Sequence, residues 1–236
     1  EEEDEVTITV TPDRGYELDE LIVTDRNGRE IDVTAERDGT YTFIQPRGRV
    51  TIEATFVRTG ETAGLPFVDV PASAYYYDAV AWAVENGVTG GTTATTFSPN
   101  NACTRAQMVT FLWRAAGEPE PETTVNPFTD VSASAYYYEA VLWAVERGIT
   151  NGTSATTFSP DATVTRGQTV TFLWRNAGSP AASGSSFADV AADAYYATAV
   201  AWAANEGITS GTSATAFSPN NACTRAQIVT FLYRTR

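Results

Sequence analysis

Apolar and polar residues follow two different rhythms along this chain. In the first quarter, VTITV (6–10) and VTIEATFV (50–57) alternate with the period of a half-buried strand. Asn27-Gly28 lies between ELDELIVTD and REIDVTAE, a strong short-range hairpin signal. Asp38-Gly39 stands just before TYTFIQP and predicts a second tight turn. These features predict a small β-domain of four or five strands that ends near 59–64.

Beyond that point the pattern becomes helical and repeats itself. Residues 67–114 read FVDVPASAYYYDAVAWAVENGVTGGTTATTFSPNNACTRAQMVTFLWR, and 128–175 and 187–234 repeat them position for position. Self-similarity of this kind marks a threefold array of one supersecondary unit. In the first copy a helix is predicted over about 75–86, closed by Gly87. A loop rich in Gly, Thr, Ser and Asn covers 88–102, and a second helix follows over about 105–114 with Thr104 as its N-cap. Tyr76, Ala79, Val80 and Ala83 share one face of the first helix, Tyr75 and Trp82 another. Helices this short are marginal alone, and one with two apolar faces must be packed from two sides. The three repeats are therefore expected to assemble around a shared core. Polar, Pro- or Ser-rich linkers, 118–126 and 179–186, join them across the surface.

Composition narrows the function. The net charge is -14, and the 15 cationic residues are all arginine; histidine and lysine are absent. An acidic chain of this kind is not built for nucleic acid. Without histidine it lacks the commonest general base and metal ligand, and without lysine it lacks Schiff-base chemistry. No apolar run is long enough to span a bilayer, so membrane insertion is not expected. There is no signal peptide, and the opening run Glu1-Glu2-Glu3-Asp4-Glu5 reads as the solvated interior of a longer polypeptide. Carboxylates are plentiful, but no pair stands out by spacing for glycoside hydrolysis. No metal cluster, nucleophile elbow or phosphate loop is present. Neither catalytic residues, a metal nor a cofactor are expected. Cys103 and Cys223 occupy one place in repeats one and three, and Val164 fills it in repeat two. That exchange favours a small buried apolar role over a disulfide.

The most informative string is TRAQ at 104–107, TRGQ at 165–168 and TRAQ at 224–227. Thr at the N-cap with Gln three residues later is a capping box, which accounts for both. It does not account for Arg105, Arg166 and Arg225. A cation in the first turn faces the positive end of the helix dipole, and here it does so three times. Two explanations stand level. One is an anion bound at each helix start, where free N–H groups, the dipole and the guanidinium converge. The other is a structural ion pair with Asp69, Asp130 and Asp189. Trp82, Trp143 and Trp202 are expected in the core. Tyr75, Tyr136 and Tyr195, near the start of the first helix, could offer a ring or hydroxyl to a sugar. Gly91, Gly152 and Gly211 read first as turn positions needing positive φ, and second as places where a ligand can approach the backbone.

The strings FVDV, YYYDAVAWAVENGV, TTFSPN and TRAQ, each found three times in closely similar form, resemble the S-layer homology (SLH) module across about 65–236. The resemblance implies a mainly α fold, a pseudo-threefold SLH trimer of three helix-loop-helix repeats around a shared core, behind a small N-terminal all-β domain. Its implied divisions are a β-domain over 1–60 and repeats over 65–117, 126–178 and 186–236. It further implies extracellular, cell-wall localisation and binding of a secondary cell-wall polysaccharide, a pyruvylated amino-sugar polymer, in grooves between neighbouring repeats. By position, Arg105, Arg166 and Arg225 match the family's motif arginine, and Gly91, Gly152 and Gly211 its loop glycine. The chain departs from the motif in carrying Gln for Glu after the arginine and Tyr75, Tyr136 and Tyr195 for a tryptophan; Ala94-Thr95 stands in place of Asp-Gly. GYELDELIV and GTYTFIQPRGRVTIEATF in the first region are similar to the B-repeat of internalin-type surface proteins, a spacer or stalk. The expected function is non-covalent anchoring of a larger exported protein, with self-association in a surface layer a further expectation. A protein-interaction or adhesin module that keeps the scaffold without the glycan is the alternative; an unseen hydrolase is a distant third.

Overall fold

The structure, a computed structural model, describes residues 4–12, 16–36, 39–58, 65–184 and 187–236. The predicted turn residue Asp38, the boundary at 59–64 and the last two residues of the 179–186 linker lie outside them. The chain divides into two compact units, 1–64 and 65–236.

The first unit is antiparallel. Strand β1 (Glu5–Thr9) pairs with β4 (Thr40–Ile44), which also pairs with the short β3 (Thr34–Ala35). A second ribbon joins β2 (Tyr16–Thr24) to β5 (Thr51–Arg58), with a bulge between Leu18 and Glu20. The hairpin expected at Asn27-Gly28 is only half realised. The turn itself forms, with Gly28 at φ 78° and Asp25 Oδ1 accepting from the backbone N–H groups of Asn27 and Arg29. The chain that leaves it makes one bridge, Glu30 to Thr24, and then departs, while β5 pairs along the other edge of β2. Turn chemistry fixed the reversal; the long ladder of β2 is made with a strand distant in sequence. Among its described residues the unit buries chiefly Val23 and Phe43 and leaves Ile44, Ile52 and Phe56 exposed.

Among the described residues the second unit holds six helices in three pairs: α1 (Tyr77–Glu85) and α2 (Arg105–Ala115), α3 (Tyr138–Glu146) and α4 (Arg166–Asn176), α5 (Ala197–Asn205) and α6 (Arg225–Arg234). The first helix of each pair starts two residues later than its pattern suggests, because the first two tyrosines of each YYY or AYY run stand in the preceding turn. It has no side-chain cap. The second helices have complete capping boxes, Thr104 with Gln107, Thr165 with Gln168 and Thr224 with Gln227. They are buried on nearly all sides. The hydroxyls of Thr110, Thr171 and Thr230 are accommodated there by donating to the carbonyl four residues back.

Each second helix packs against the first helix of the following repeat: α2 on α3, α4 on α5, and α6 back on α1. The backbone closes the same circuit. Cys103 N–H donates to the Cys223 carbonyl at 3.0 Å, Cys223 N–H to Val164 at 2.9 Å, and Val164 N–H to Cys103 at 2.9 Å. The two cysteines are free, and their side chains, like that of Val164, are fully buried. Burial pushes the Cys103 thiol up to about 12 and Cys223 up to about 11. Protonated and enclosed, they behave as small hydrophobes, as the exchange with valine suggested. Trp143 and Trp202 are in the core, whereas Trp82 is only part-buried, edge-on to Tyr233 at 6.0 Å.

Candidate functional site: a buried arginine in each repeat

The arginines are the anomaly around which a site can be built. Arg105, Arg166 and Arg225 are buried although charged, at 3%, 3% and 4% exposure. Each reaches out of its own repeat. Arg105 Nε donates to the Phe158 carbonyl at 2.8 Å, Arg166 Nε to Phe217 at 2.8 Å, and Arg225 Nε to Phe97 at 2.7 Å. Each guanidinium lies between two rings: Arg105 is 4.8 Å from Phe158 and 5.5 Å from Phe172, and the other two repeat the arrangement. Such contacts favour a cation but supply no counter-charge.

Burial lowers the affinity of all three guanidinium groups for their proton. Nearby Tyr195 and Asp130 partly offset the effect at Arg105. Arginine nevertheless stays charged in proteins. The remaining nitrogens therefore matter. Nη2 of Arg105 and of Arg166 is buried without a hydrogen-bond partner, while Nη2 of Arg225 donates to Thr89 Oγ1 at 3.3 Å. A buried donor on a cation left unmatched costs about 1–3 kcal/mol or more. Two of the three arginines thus carry an unmet demand for an acceptor.

Neither of the two explanations that stood level fits unchanged. The ion pair is not formed. Asp69, Asp130 and Asp189 each give both carboxylate oxygens to backbone N–H groups: Asp130 to Phe158 at 2.8 Å and Ser159 at 2.7 Å, Asp69 to Phe97 and Ser98, Asp189 to Phe217 and Ser218. They act on the arginines indirectly, by fixing the loop whose phenylalanine carbonyl receives Nε. In that loop Ser98, Ser159 and Ser218 hold φ 58°, a left-handed conformation that the aspartate clamps in place. The expected free N–H groups at the helix start are also taken. Arg105 N–H donates to Ala162, Ala106 N–H to Pro160, and Gln107 N–H to Thr104 Oγ1, with the other two repeats alike. An anion would be held by side chains, not by the helix terminus.

One pocket brings the expected residues together. It encloses about 320 Å³ and is lined by Arg105, Thr150, Gly152, Thr153, Gln168, Thr171, Phe172, Arg175 and Tyr195. Arg105 comes from repeat one, Tyr195 from repeat three, and the rest from repeat two. The pocket is thus lined by residues of all three repeats. Tyr195 stays 63% exposed with part of its ring shielded, which raises its phenol. Tyr75 and Tyr136 are similarly exposed, at 67% and 63%, and lie within electrostatic reach of Arg166 and Arg225. Gly152 reaches the pocket, but its missing Cβ serves packing. At Gly91, with φ 90°, a Cβ would fall 2.5 Å from Phe67 and 2.6 Å from the Thr96 carbonyl. Turn geometry and close internal packing account for these glycines.

Arg175 was missed. It lies at the end of the second helix, where its Nη1 donates to the Ile149 carbonyl at 3.0 Å, and it adds a second guanidinium to the pocket. The signal was there: FLWR, FLWR and FLYR close the three repeats. Among the described residues no group of His, Cys, Asp or Glu could hold a metal, and no helix is long and apolar enough to cross a membrane.

Comparison with known proteins decides the family. The S-layer homology domain matches residues 66–109, 127–170 and 186–229. The chain belongs to the S-layer homology family. Its first region matches the divergent InlB B-repeat domain over 1–60. The SLH chain is 40% identical over 101 residues to a surface-layer 125 kDa protein of Lysinibacillus sphaericus, a stretch that covers 43% of the chain and 8% of that protein. It is 35% identical over 103 residues to an endoglucanase of Bacillus sp. (strain KSM-635), covering 44% and 11%. A cell surface protein of Thermoanaerobacter kivui is 32% identical over 123 residues, covering 50% and 16%. The matched stretches are thus a small fraction of these relatives' lengths. SLH repeats and these surface relatives support anchoring of surface proteins to the cell wall, and they place the chain outside the cell, at the wall.

Proposed function

We propose that residues 65–236 anchor a larger exported polypeptide non-covalently to the wall by binding an anionic secondary cell-wall polysaccharide. The recognised group is a carboxylate, such as a pyruvate ketal on an amino sugar. Arg105, Arg166 and Arg225 are its charged contacts, and Tyr195, with Tyr136 and Tyr75 at the sister sites, packs against the sugar. The observation that carries this reading is Arg105 on the wall of an open pocket, a cation held by two ring faces and a backbone carbonyl without an ion-pair partner. A carboxylate in that pocket would neutralise the guanidinium charge and could accept a charge-assisted hydrogen bond from an N–H that faces it. The cyclic hydrogen bonds support three repeats, over 65–117, 126–178 and 186–236, related by a pseudo-threefold axis. Three modest sites on one chain would add through avidity. The β unit, 1–60, serves as a spacer, and self-association in a surface layer is part of the same reading. The module itself is non-catalytic; the aligned endoglucanase shares only 11% of its length with it.

The test is co-sedimentation of the full 236-residue chain with sacculi from its source, before and after chemical removal of the secondary polymer. Binding that vanishes with the polymer, and falls on Arg105→Ala and Arg166→Ala, supports anchoring. Equal pelleting with both preparations points to peptidoglycan or a protein partner. No pelleting at all overturns the reading.

A further inference from the structure

The circuit of repeats has one junction that the chain does not bridge. Linkers join repeat one to repeat two and repeat two to repeat three, whereas repeat three meets repeat one through the packing of α6 on α1 and the backbone bonds of the circuit. Both cysteines stand at that junction. Arg225 N–H donates to the Asn101 carbonyl at 2.9 Å and Cys103 N–H to the Cys223 carbonyl at 3.0 Å, so that Ala102 and Thr224 form an antiparallel bridge. One step along each strand, Cys103 and Cys223 are therefore opposite each other. Opposite residues of an antiparallel pair share one face, with Cα atoms about 4.5–5.5 Å apart. A disulfide spans about 4.4–6.8 Å between Cα atoms. That face is the interior: Ala102 and Ala222 are exposed, Thr104 and Thr224 half-buried, and Cys103 and Cys223 fully buried. Cys223 also contributes to the rise of the Cys103 thiol, as a nearby group of like charge does. Val164 takes the same place in the middle repeat, whose two neighbours are both attached to it by linkers.

We propose that Cys103 and Cys223 are a cross-linking site, where a disulfide closes the ring of repeats covalently once the chain is outside the cell. Disulfides persist in such surroundings. The dithiol described above is the reduced form. The oxidant is a second disulfide, a small-molecule one or that of a thiol oxidoreductase. The Cys223 thiolate attacks one of its sulfurs and expels a thiolate; the Cys103 thiolate then attacks the Cys223 sulfur of the mixed disulfide and expels the other. Two S–H protons leave to solvent, and two electrons reduce the oxidant to two thiols. The bond forms while α6 is still docking on α1, because burial in the closed ring keeps both thiols protonated and out of reach. Valine at 164 fits this chemistry: one bond takes two sulfurs, and a third thiol on the same face would compete for it. The cross-link encloses the whole of repeat two, and the restriction that it places on the unfolded chain grows with the length of the loop. It does not depend on which wall polymer the repeats bind.

The test refolds the full chain from urea, reduced at the start, in a glutathione buffer rich in the oxidised form and, in parallel, in dithiothreitol. Thiols are then alkylated in denaturant and the protein is weighed and mapped without reduction. The oxidised sample should be a monomer that takes up no alkylating agent, weighs two hydrogen atoms less, and yields one peptide pair joining Cys103 to Cys223. Its thermal midpoint should exceed that of the reduced sample by about 10 °C, as a long loop closed in a domain of this size predicts. A variant with Cys103→Val and Cys223→Val, which copies the middle repeat, should melt with the reduced sample in both buffers. Protein folded first and exposed to oxidised glutathione afterwards should react far more slowly than protein refolded in it. Two alkylated cysteines after oxidative refolding would overturn the proposal, and so would cross-linked dimers. An intramolecular bond that leaves the midpoint unchanged or lowers it would overturn the ring closure as well.

Discussion

Arg105 and Arg225 occupy one place in two nearly identical repeats, yet they end in different states. Each gives Nε to a phenylalanine carbonyl and lies between two rings. At Arg225 the loop threonine Thr89 takes Nη2; at Arg105 the equivalent threonine, Thr150, does not, and Nη2 stays unmatched. Both threonines keep their other task, accepting from the N–H of Gly91 and Gly152 respectively. The difference is one hydrogen bond in otherwise equal surroundings. It teaches that sequence repetition does not guarantee equal surroundings: Arg105 and Arg166 each keep a buried nitrogen without an acceptor, and Arg225 is satisfied from within.

The largest effect comes from removing the ring beneath a guanidinium. Phe158 is fully buried beneath Arg105, and Phe158→Ala should cost about 3–5 kcal/mol of stability, measured by urea unfolding. In a chain that still folds, it should weaken ligand binding at Arg105 while leaving Arg225, which rests on Phe97, able to bind. Next is the loop clamp. Asp130→Ala strands the N–H groups of Phe158 and Ser159 and should cost about 1–3 kcal/mol. Hydrogen exchange at Phe158 should quicken in that variant, and an unchanged rate would separate the aspartate from the arginine platform.

The comparison itself is tested by a pair of substitutions. Thr89→Val and Thr150→Val each remove an acceptor from a glycine N–H, but only Thr89→Val also orphans an arginine nitrogen. The first should be more destabilising by about 1 kcal/mol, and should raise the affinity of the Arg225 site toward that of Arg105. Equal destabilisation would erase the distinction between the sites. The smallest effect is on pH. The Asp189 carboxyl is held below its ordinary value, chiefly by the Phe217 N–H and also by that of Ser218. A depressed folded pKa lends stability that is full above the unfolded value of about 3.9 and fades as pH falls through the lower folded value. Native protein should therefore lose thermal stability below about pH 4 more steeply than Asp189→Asn.

Much of the molecule could be read from local rules. Thr104 and Gln107 announce the capping box because both partners lie within four residues, and the helix spacing and positive-φ glycines depend on equally short-range geometry. The swap of Cys103 for Val164 identified a buried apolar place correctly, since volume and polarity suffice to say so. The failures have a common distance scale. At Asn27-Gly28 the turn formed with a single bridge, and the long ladder of β2 is made with β5, which follows only after β3 and β4. At the arginines, composition showed a cation where the helix dipole disfavours one, but not where its side chain goes. Arg105 crosses to Phe158 and Arg225 to Phe97, closing loops that no pattern within one repeat encodes.

The sequence alone determined the repeat, the helices and their caps, and the presence of an unexplained cation in each. Only the tertiary structure decided that the helix-start N–H groups are already satisfied by the next repeat, that the aspartates hold loops instead of guanidinium groups, and that one pocket draws residues from all three repeats. The physical reason is that caps and turns are settled by the backbone over a few residues. A buried charge answers to whatever the completed circuit of repeats places around it.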